Sequence, residues 1–148
     1  MTDDHRPVLA PGVATDPEFA WVREMFNGDE ASRTLGMTIT RIERDEAEGT
    51  MTVTPGMCNG HLTAHGGFLF AFADSLFAAA CNSGGQPTVA AHVSIHFISA
   101  AHAGDVIHGH AVQSRSWGRN GITDVTLIRD GEVIAEFRGT SRSLRRQG

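Results

Sequence analysis

Lysine and tyrosine are absent from this 148-residue sequence, cysteine occurs only twice, and there is no long uninterrupted apolar run. All 12 basic residues are arginines, and 17 acidic residues leave a net charge of -5, which argues against nucleic-acid binding through phosphate contacts. Two cysteines do not make the disulfide framework of a small secreted protein. No segment reaches the roughly 20 apolar residues of a membrane span, and residues 1–15 lack a signal-peptide run, so we expect a cytoplasmic protein without a membrane partner.

The eight histidines do not form a pattern that predicts a metal site. Three closely spaced pairs occur, but they fall on different predicted elements, and no cysteine or carboxylate pattern joins them. A metal site needs three or four converging ligands, so we expect no bound metal. The pairs are His61 and His65, His92 and His96, and His108 and His110.

The chain length suits one domain. Residues 1–15 are polar and contain proline, and we expect a flexible arm there, before a single domain at residues 16–148. Helices are predicted at residues 16–27 and 67–82, with a short turn at 29–34. Alternating apolar residues predict strands at 35–44, 47–53, 88–98, 106–115, 121–129 and 133–143. This order predicts an α+β fold in which an antiparallel sheet wraps around one long buried helix.

The predicted long helix contains one ionisable residue. From Phe68 to Cys81 it is apolar on every side apart from Asp74 and Ser75, which is typical of a helix that its surroundings bury. An ionised carboxylate in such a setting is costly unless it is paired or hydrogen-bonded. Asp74 is therefore the leading candidate for a functional residue. The alternative is a structural acid bonded to a hydroxyl or a backbone N–H.

Two glycines, Gly66 and Gly67, stand at the start of this helix. The N–H groups of a first helical turn have no partner inside the helix, and the helix dipole favours a negatively charged oxygen beside them. This is how an oxyanion hole is built. The glycines could instead serve only close packing. Because Asn59 and His65 lie beside them, we favour a catalytic site.

The pattern Asn-Gly-His, Thr-Ala-His-Gly-Gly, Leu-Phe and Ala-Asp between residues 59 and 74 resembles the signature of hot-dog-fold thioesterases of the phenylacetic acid degradation type. Further similarity lies at Phe97, at Gly104-Asp105 and at residues 135–139, so the resemblance covers most of the chain from about Phe19. It implies the hot-dog fold and hydrolysis of acyl-coenzyme A thioesters, including those of arylacetic acids. Where the family often has Arg-Pro, this chain has Ser99-Ala100, so a coenzyme contact from that loop is not implied.

The resemblance also implies the roles of four residues. The family's catalytic Asp, oxyanion Gly, and supporting Asn and His correspond to Asp74, Gly66, Asn59 and His65. On this reading Gly66, with Gly67 as a second donor, polarises the thioester carbonyl. Asp74 acts either as general base on water or as nucleophile through an anhydride, and no metal or redox cofactor is needed. Asn59 holds the water or the Asp74 carboxylate.

The acyl pocket and the assembly are also predicted. Phe68, Phe72 and Phe77 are candidates to line the acyl group, with plain core packing as the alternative. Asp74 lies roughly 12 Å along the helix from Gly66, at 1.5 Å per residue, so one thioester cannot contact both in one chain. A two-fold dimer with antiparallel helices places Asp74 of one subunit opposite Gly66 and Asn59 of the other. The resemblance implies the same composite site.

The third predicted strand has one apolar and one mixed face. Its odd-numbered residues from Val89 to Phe97 are all apolar, and we expect them to pack on the helix. The other face carries His92, Ser94 and His96, which we expect to join two dimers into a tetramer.

The sequence thus predicts an acyl-coenzyme A thioesterase acting on an arylacetyl substrate such as phenylacetyl-coenzyme A or its hydroxylated derivatives. Two alternatives remain open at this stage. One is a hydratase or dehydratase of the same fold, and the other is a non-catalytic acyl-coenzyme A-binding protein.

Overall fold

The long helix α3, Gly66–Asn82, lies against one face of a six-stranded antiparallel sheet in a computed structural model that describes residues 6–144. Residues 1–5 and 145–148 lie outside the described part. The strands are β1 Thr38–Glu43, β2 Glu46–Thr52, β3 Thr88–Phe97, β4 Val106–Trp117, β5 Asn120–Arg129 and β6 Glu132–Ser143. They pair in the order β1-β2-β4-β5-β6-β3. All six contact α3, which confirms the predicted α+β arrangement.

Two shorter helices precede the sheet. A 3₁₀ turn at Pro17–Phe19 leads into α1, Ala20–Asn27, and α2 follows at Glu30–Thr34. Phe19, Val22 and Phe26 are buried, as their spacing predicts. Among residues 6–144, no helix is long and apolar enough to cross a membrane.

Glycines on the sheet allow α3 to approach it closely. A Cβ atom on Gly109 of β4 would overlap the Leu76 side chain, and one on Gly139 of β6 would overlap the Phe77 ring. Leu76 and Phe77 are buried. Because interiors are packed as densely as organic crystals, these large side chains need the space that a missing Cβ leaves.

A β-bulge divides β3 into two parts. Its register against β6 shifts between Ala90 and His92, and Val89 pairs with the exposed Arg142. Val93 and Ile95 pack against the core, but Val89 faces outward and is 48% exposed. The prediction of one continuous apolar face from Val89 to Phe97 is therefore wrong, because an extra residue in a strand reverses the alternation of its side chains.

The N-terminal segment packs on the sheet. Val8 and Leu9 are buried, and the backbone N–H of Ile39 donates to the Val8 carbonyl at 2.8 Å. Arg6 donates to the Thr38 hydroxyl at 2.8 Å. The predicted flexible arm is therefore wrong from Arg6 onward, because apolar side chains at 8, 9 and 14 are covered by the core. The rest of that prediction lies outside the described residues.

The contact between Gly109 and Leu76 generates a stability prediction. We expect Gly109→Ala to lower the free energy of unfolding by about 1–3 kcal/mol, because the added methyl overpacks a filled interior. Gly28→Ala is the control, since a Cβ there meets nothing closer than 3.9 Å, and it should change stability by about 0.5 kcal/mol or less. Urea denaturation measures both. Equal stability of the two variants would contradict this account of the helix–sheet contact.

Candidate active site

The loop before α3 is organised around the side chain of Asn59. Its Oδ1 accepts hydrogen bonds from the backbone N–H of His61 at 2.9 Å, from that of Thr63 at 3.3 Å and from the Thr63 hydroxyl at 3.2 Å. These bonds fix the amide orientation, because only the oxygen can accept. The Nδ2 group has no partner among the described residues and is left to donate to a ligand.

His65 caps the N-terminus of α3. Its Nδ1 accepts from the Gly67 N–H at 3.1 Å, and its own backbone N–H donates to the Met57 carbonyl at 2.7 Å. Since Nδ1 accepts, the proton of a neutral imidazole lies on Nε2. The Gly67 N–H is already bonded, so the structure does not support Gly67 as the second oxyanion donor.

Gly66 is the first residue of α3, and its N–H has no hydrogen-bond partner within residues 6–144. Such a group at a helix N-terminus is suited to bind a carbonyl oxygen that develops negative charge. It lies in a groove of about 520 Å³ that also contains Asn59 and His65. Leu69, Phe97 and Ile98 give this groove an apolar side. The structure thus brings together three of the four predicted site residues.

Asp74 stands apart from that groove, two turns further along α3. A separation of eight residues corresponds to roughly 12 Å from Gly66 at the rise of an α-helix. Its carboxylate is half-buried and has no hydrogen bond or ion pair with any described residue. Burial raises the pKa of Asp74, and the negative charge of Asp29 raises it further. Within residues 6–144 no hydroxyl or N–H group bonds the Asp74 carboxylate, as a purely structural acid would require.

Asp29 and Ser32 connect α2 to the helix beside Asp74. Asp29 caps α2 by accepting from the Ser32 N–H at 3.0 Å and from its hydroxyl at 2.6 Å. The Ser32 hydroxyl lies 2.8 Å from that of Ser75. Because Ser32 gives its only hydroxyl proton to the carboxylate, Ser75 donates to Ser32. The sequence reasoning missed this contact; the Asp-x-x-Ser spacing signals a cap, but not which helix it touches.

The three aromatic candidates for the acyl pocket lie in different surroundings. Phe72 is 0% exposed and Phe77 is 1% exposed, with Phe77 packed against Phe137 at 5.7 Å between ring centroids. Both therefore belong to the core and cannot line an open site. Phe68 is half-exposed and lines a second groove, of about 690 Å³, together with His65, Ala71 and residues of α2. Phe97, not predicted as a site residue, is the aromatic side chain beside Gly66.

Other reactive groups in the described part of the chain are not assembled into sites. Burial raises the pKa of the Cys81 thiol to about 12, so this thiol is not a nucleophile near neutral pH. Among residues 6–144, no three His, Cys, Asp or Glu side chains are grouped so that they could hold a metal ion.

Comparison with known proteins identifies the family. The thioesterase superfamily is matched over residues 61–136, just over half of the chain. This chain belongs to that superfamily. Acyl-coenzyme A thioesterase PaaI of Escherichia coli strain K12 is 36% identical over 128 residues, which cover 84% of this chain and 91% of that protein.

Solved structures similar to this chain agree with the fold. The E. coli PaaI protein from the phenylacetic acid degradation operon has a TM-score of 0.84 at 34% identity, covering 86% of this chain and 94% of that one. Protein TT0310 of Thermus thermophilus has a TM-score of 0.76 at 34% identity, covering 78% and 98%. The predicted family and hot-dog fold are confirmed. The superfamily match includes His65, Gly66 and Asp74, and Asn59 lies just before it.

The raised pKa of Asp74 predicts how a substitution changes stability with pH. The folded state binds this proton more tightly than the unfolded state, whose Asp pKa is about 3.9, so ionisation of Asp74 disfavours folding at pH values above that. Asp74→Asn removes the ionisation. We therefore expect the variant to be more stable than the parent at pH 7, with a gain that shrinks as the pH falls towards 4. Urea midpoints across this range measure it, and a gain that is independent of pH would contradict the assignment.

Proposed function

We propose that this protein hydrolyses acyl-coenzyme A thioesters, with arylacetyl groups as the substrate class. The observation that carries the proposal is a pair of polar groups on one apolar helix, the Gly66 N–H and the Asp74 carboxylate, that have no hydrogen-bond partner in the described part of the chain. Both belong to a chain whose sequence is 36% identical to an acyl-coenzyme A thioesterase along most of both proteins. A stable fold leaves few such groups without partners, and those that it leaves are candidates for chemistry.

The Gly66 N–H polarises the thioester carbonyl. The carbonyl oxygen gains negative charge as the tetrahedral intermediate forms, and a donor fixed in advance stabilises that charge without reorganising. Asn59 lines the same groove, and three hydrogen bonds to its amide oxygen hold its side chain. In this proposal its Nδ2 group donates to the attacking water or to the carboxylate. His65 holds the helix N-terminus in place through the Gly67 N–H.

Asp74 supplies the base. Its raised pKa makes the carboxylate a better proton acceptor than an exposed aspartate. Acting on water, it takes one proton as the hydroxyl adds to the thioester carbon. The C–S bond then breaks, coenzyme A leaves as the thiol with that proton, and the free acid remains. Attack by the carboxylate itself, through an anhydride that water later opens, fits the same position.

The two groups come from different subunits in this proposal. The separation along α3 prevents one thioester from reaching both in one chain, so a second copy must contribute. Two features support this dimer. Strand β3 is an edge strand with one unpaired side, and Phe68, Ala71, Asp74 and Ala78 form a partly exposed stripe along one face of α3. An antiparallel copy of α3 on that stripe brings Asp74 to the groove of its partner.

A dimer of dimers is the further assembly we propose. His92, Ser94 and His96 lie exposed on the face of β3 that points away from α3, as the sequence predicts. Neighbouring strands add charged and polar residues to this face, including the ion pair between Arg138 and Asp124 at 2.6 Å. A face that carries charges of both signs can pair with a second copy of itself across a two-fold axis.

The function is tested by release of free coenzyme A from acyl-coenzyme A substrates without a double bond beside the thioester, including phenylacetyl-coenzyme A. A hydratase, a dehydratase or a binding protein releases none. We expect Asp74→Asn to lower turnover about 10²- to 10⁴-fold, because the amide keeps the shape but cannot accept a proton. Asp130→Asn, in an exposed turn with a φ of 49°, is the control and should keep full activity. Turnover of Asp74→Asn within a few-fold of the parent would rule out its proposed role.

A further inference from the structure

The ring of Phe97 lies directly against the residue that carries the oxyanion N–H. A Cβ atom on Gly66 would lie 2.8 Å from Cζ, 3.1 Å from Cε2 and 3.2 Å from Cε1 of that ring. These distances are shorter than van der Waals contact between carbons, so only glycine at position 66 lets the ring reach the backbone there. The ring and Gly66 line the same groove, which also contains Asn59.

The backbone holds Phe97 at this place. It is the last residue of β3 and pairs with the buried Ala135 of β6. The N–H groups of Ile98 and Ser99 both donate to the Ile134 carbonyl, at 2.8 and 3.1 Å, so the chain is anchored immediately after the ring. The side chain itself is 53% exposed. The backbone at Phe97 is thus held by hydrogen bonds while its ring is accessible, as expected of a residue that contacts a ligand.

The other phenylalanines are placed differently. Five are buried in the core, Phe70 packs on Phe137 with ring centroids 5.6 Å apart, and Phe68 lines the groove beside α2. Phe97 is the phenylalanine that lines the groove containing Gly66 and Asn59. The buried ones are Phe19, Phe26, Phe72, Phe77 and Phe137.

We infer that Phe97 selects the acyl group, favouring arylacetyl thioesters through contact between its ring and the substrate ring. This inference rests on the proposed thioesterase function. A carbonyl oxygen on the Gly66 N–H lies about 2.9 Å from the nitrogen, so the first atoms of the acyl group fall beside Phe97. An arylacetyl group carries its ring one methylene further on, within the roughly 4.5–7 Å that separates the centroids of aromatic pairs. Leu69 and Ile98 are the other large apolar residues that line this groove.

The ratio of kcat/KM for phenylacetyl-coenzyme A to that for hexanoyl-coenzyme A tests this inference. Aromatic pairs gain energy beyond the area they bury, so Phe97→Leu should weaken contact with a substrate ring more than contact with an alkyl chain, and we expect the ratio to fall about three- to tenfold. Trp117→Leu, an exposed aromatic at the far end of β4, is the matched control and should leave the ratio unaltered. A ratio within twofold of the parent in an active Phe97→Leu enzyme would overturn the role of Phe97. Absence of thiol release by the parent enzyme would instead overturn the proposed function.

A double substitution tests the contact itself. Gly66→Ala should force the half-exposed ring into the groove and lower hexanoyl-coenzyme A hydrolysis at least tenfold, with little change in thermal stability. Combining it with Phe97→Ala makes room for the new methyl group and should restore the rate to that of Phe97→Ala alone. A double variant that stays as slow as Gly66→Ala would show that the Phe97 ring does not obstruct the groove in Gly66→Ala. This result would contradict the inferred position of the ring beside the acyl group.

Discussion

Burial of the nearly all-apolar helix α3 against the sheet is the constraint on which the rest of the structure depends. The contact is close because Gly109 and Gly139 have no side chain to keep Leu76 and Phe77 away. A helix held this firmly keeps every group on it at a fixed distance from the others. It therefore offers a rigid frame for chemistry, and it also fixes Gly66 and Asp74 too far apart to act together in one subunit.

The polar groups of α3 divide into those that have a hydrogen-bond partner and those that have none among the described residues. Ser75 donates to Ser32, Asn82 bonds the backbone of Thr88, and the Gly67 N–H is bonded by His65. The Gly66 N–H and the Asp74 carboxylate are left without such partners in the described residues. Leaving them unpaired costs stability, and the raised pKa of Asp74 is one expression of that cost. An active site accepts this cost because groups that are already satisfied cannot bind a substrate or accept its proton.

The local sequence pattern was enough to predict the helix and strand positions and much of the candidate site. Helix α3 begins one residue before its predicted start, and each of the six strands begins and ends within three residues of its predicted bounds. Asn59, His65 and Gly66 meet in one groove because they are close in sequence and joined by short-range bonds. These features depend on interactions within a few residues, which a sequence displays directly.

The features that the sequence could not reveal depend on contacts between distant segments. The bulge in β3 arises from its register against β6, and the anchoring of Val8 and Leu9 arises from a surface that β1 provides. Phe72 and Phe68 look alike in the sequence, yet packing against the sheet buries only the first. Phe97 is distant from Gly66 in the sequence, and the packing of α3 against β3 brings them together.

The central claim, that each site joins Asp74 of one subunit to Gly66 and Asn59 of the other, is tested most directly by mixing two inactive chains. In a dimer of an Asp74→Asn chain with an Asn59→Ala, Gly66→Ala chain, one site carries all the defects and the other carries none. The account predicts up to about half of the parent activity per mixed dimer, while each variant alone stays inactive. Verified mixed dimers without recovered activity would contradict a site shared between subunits.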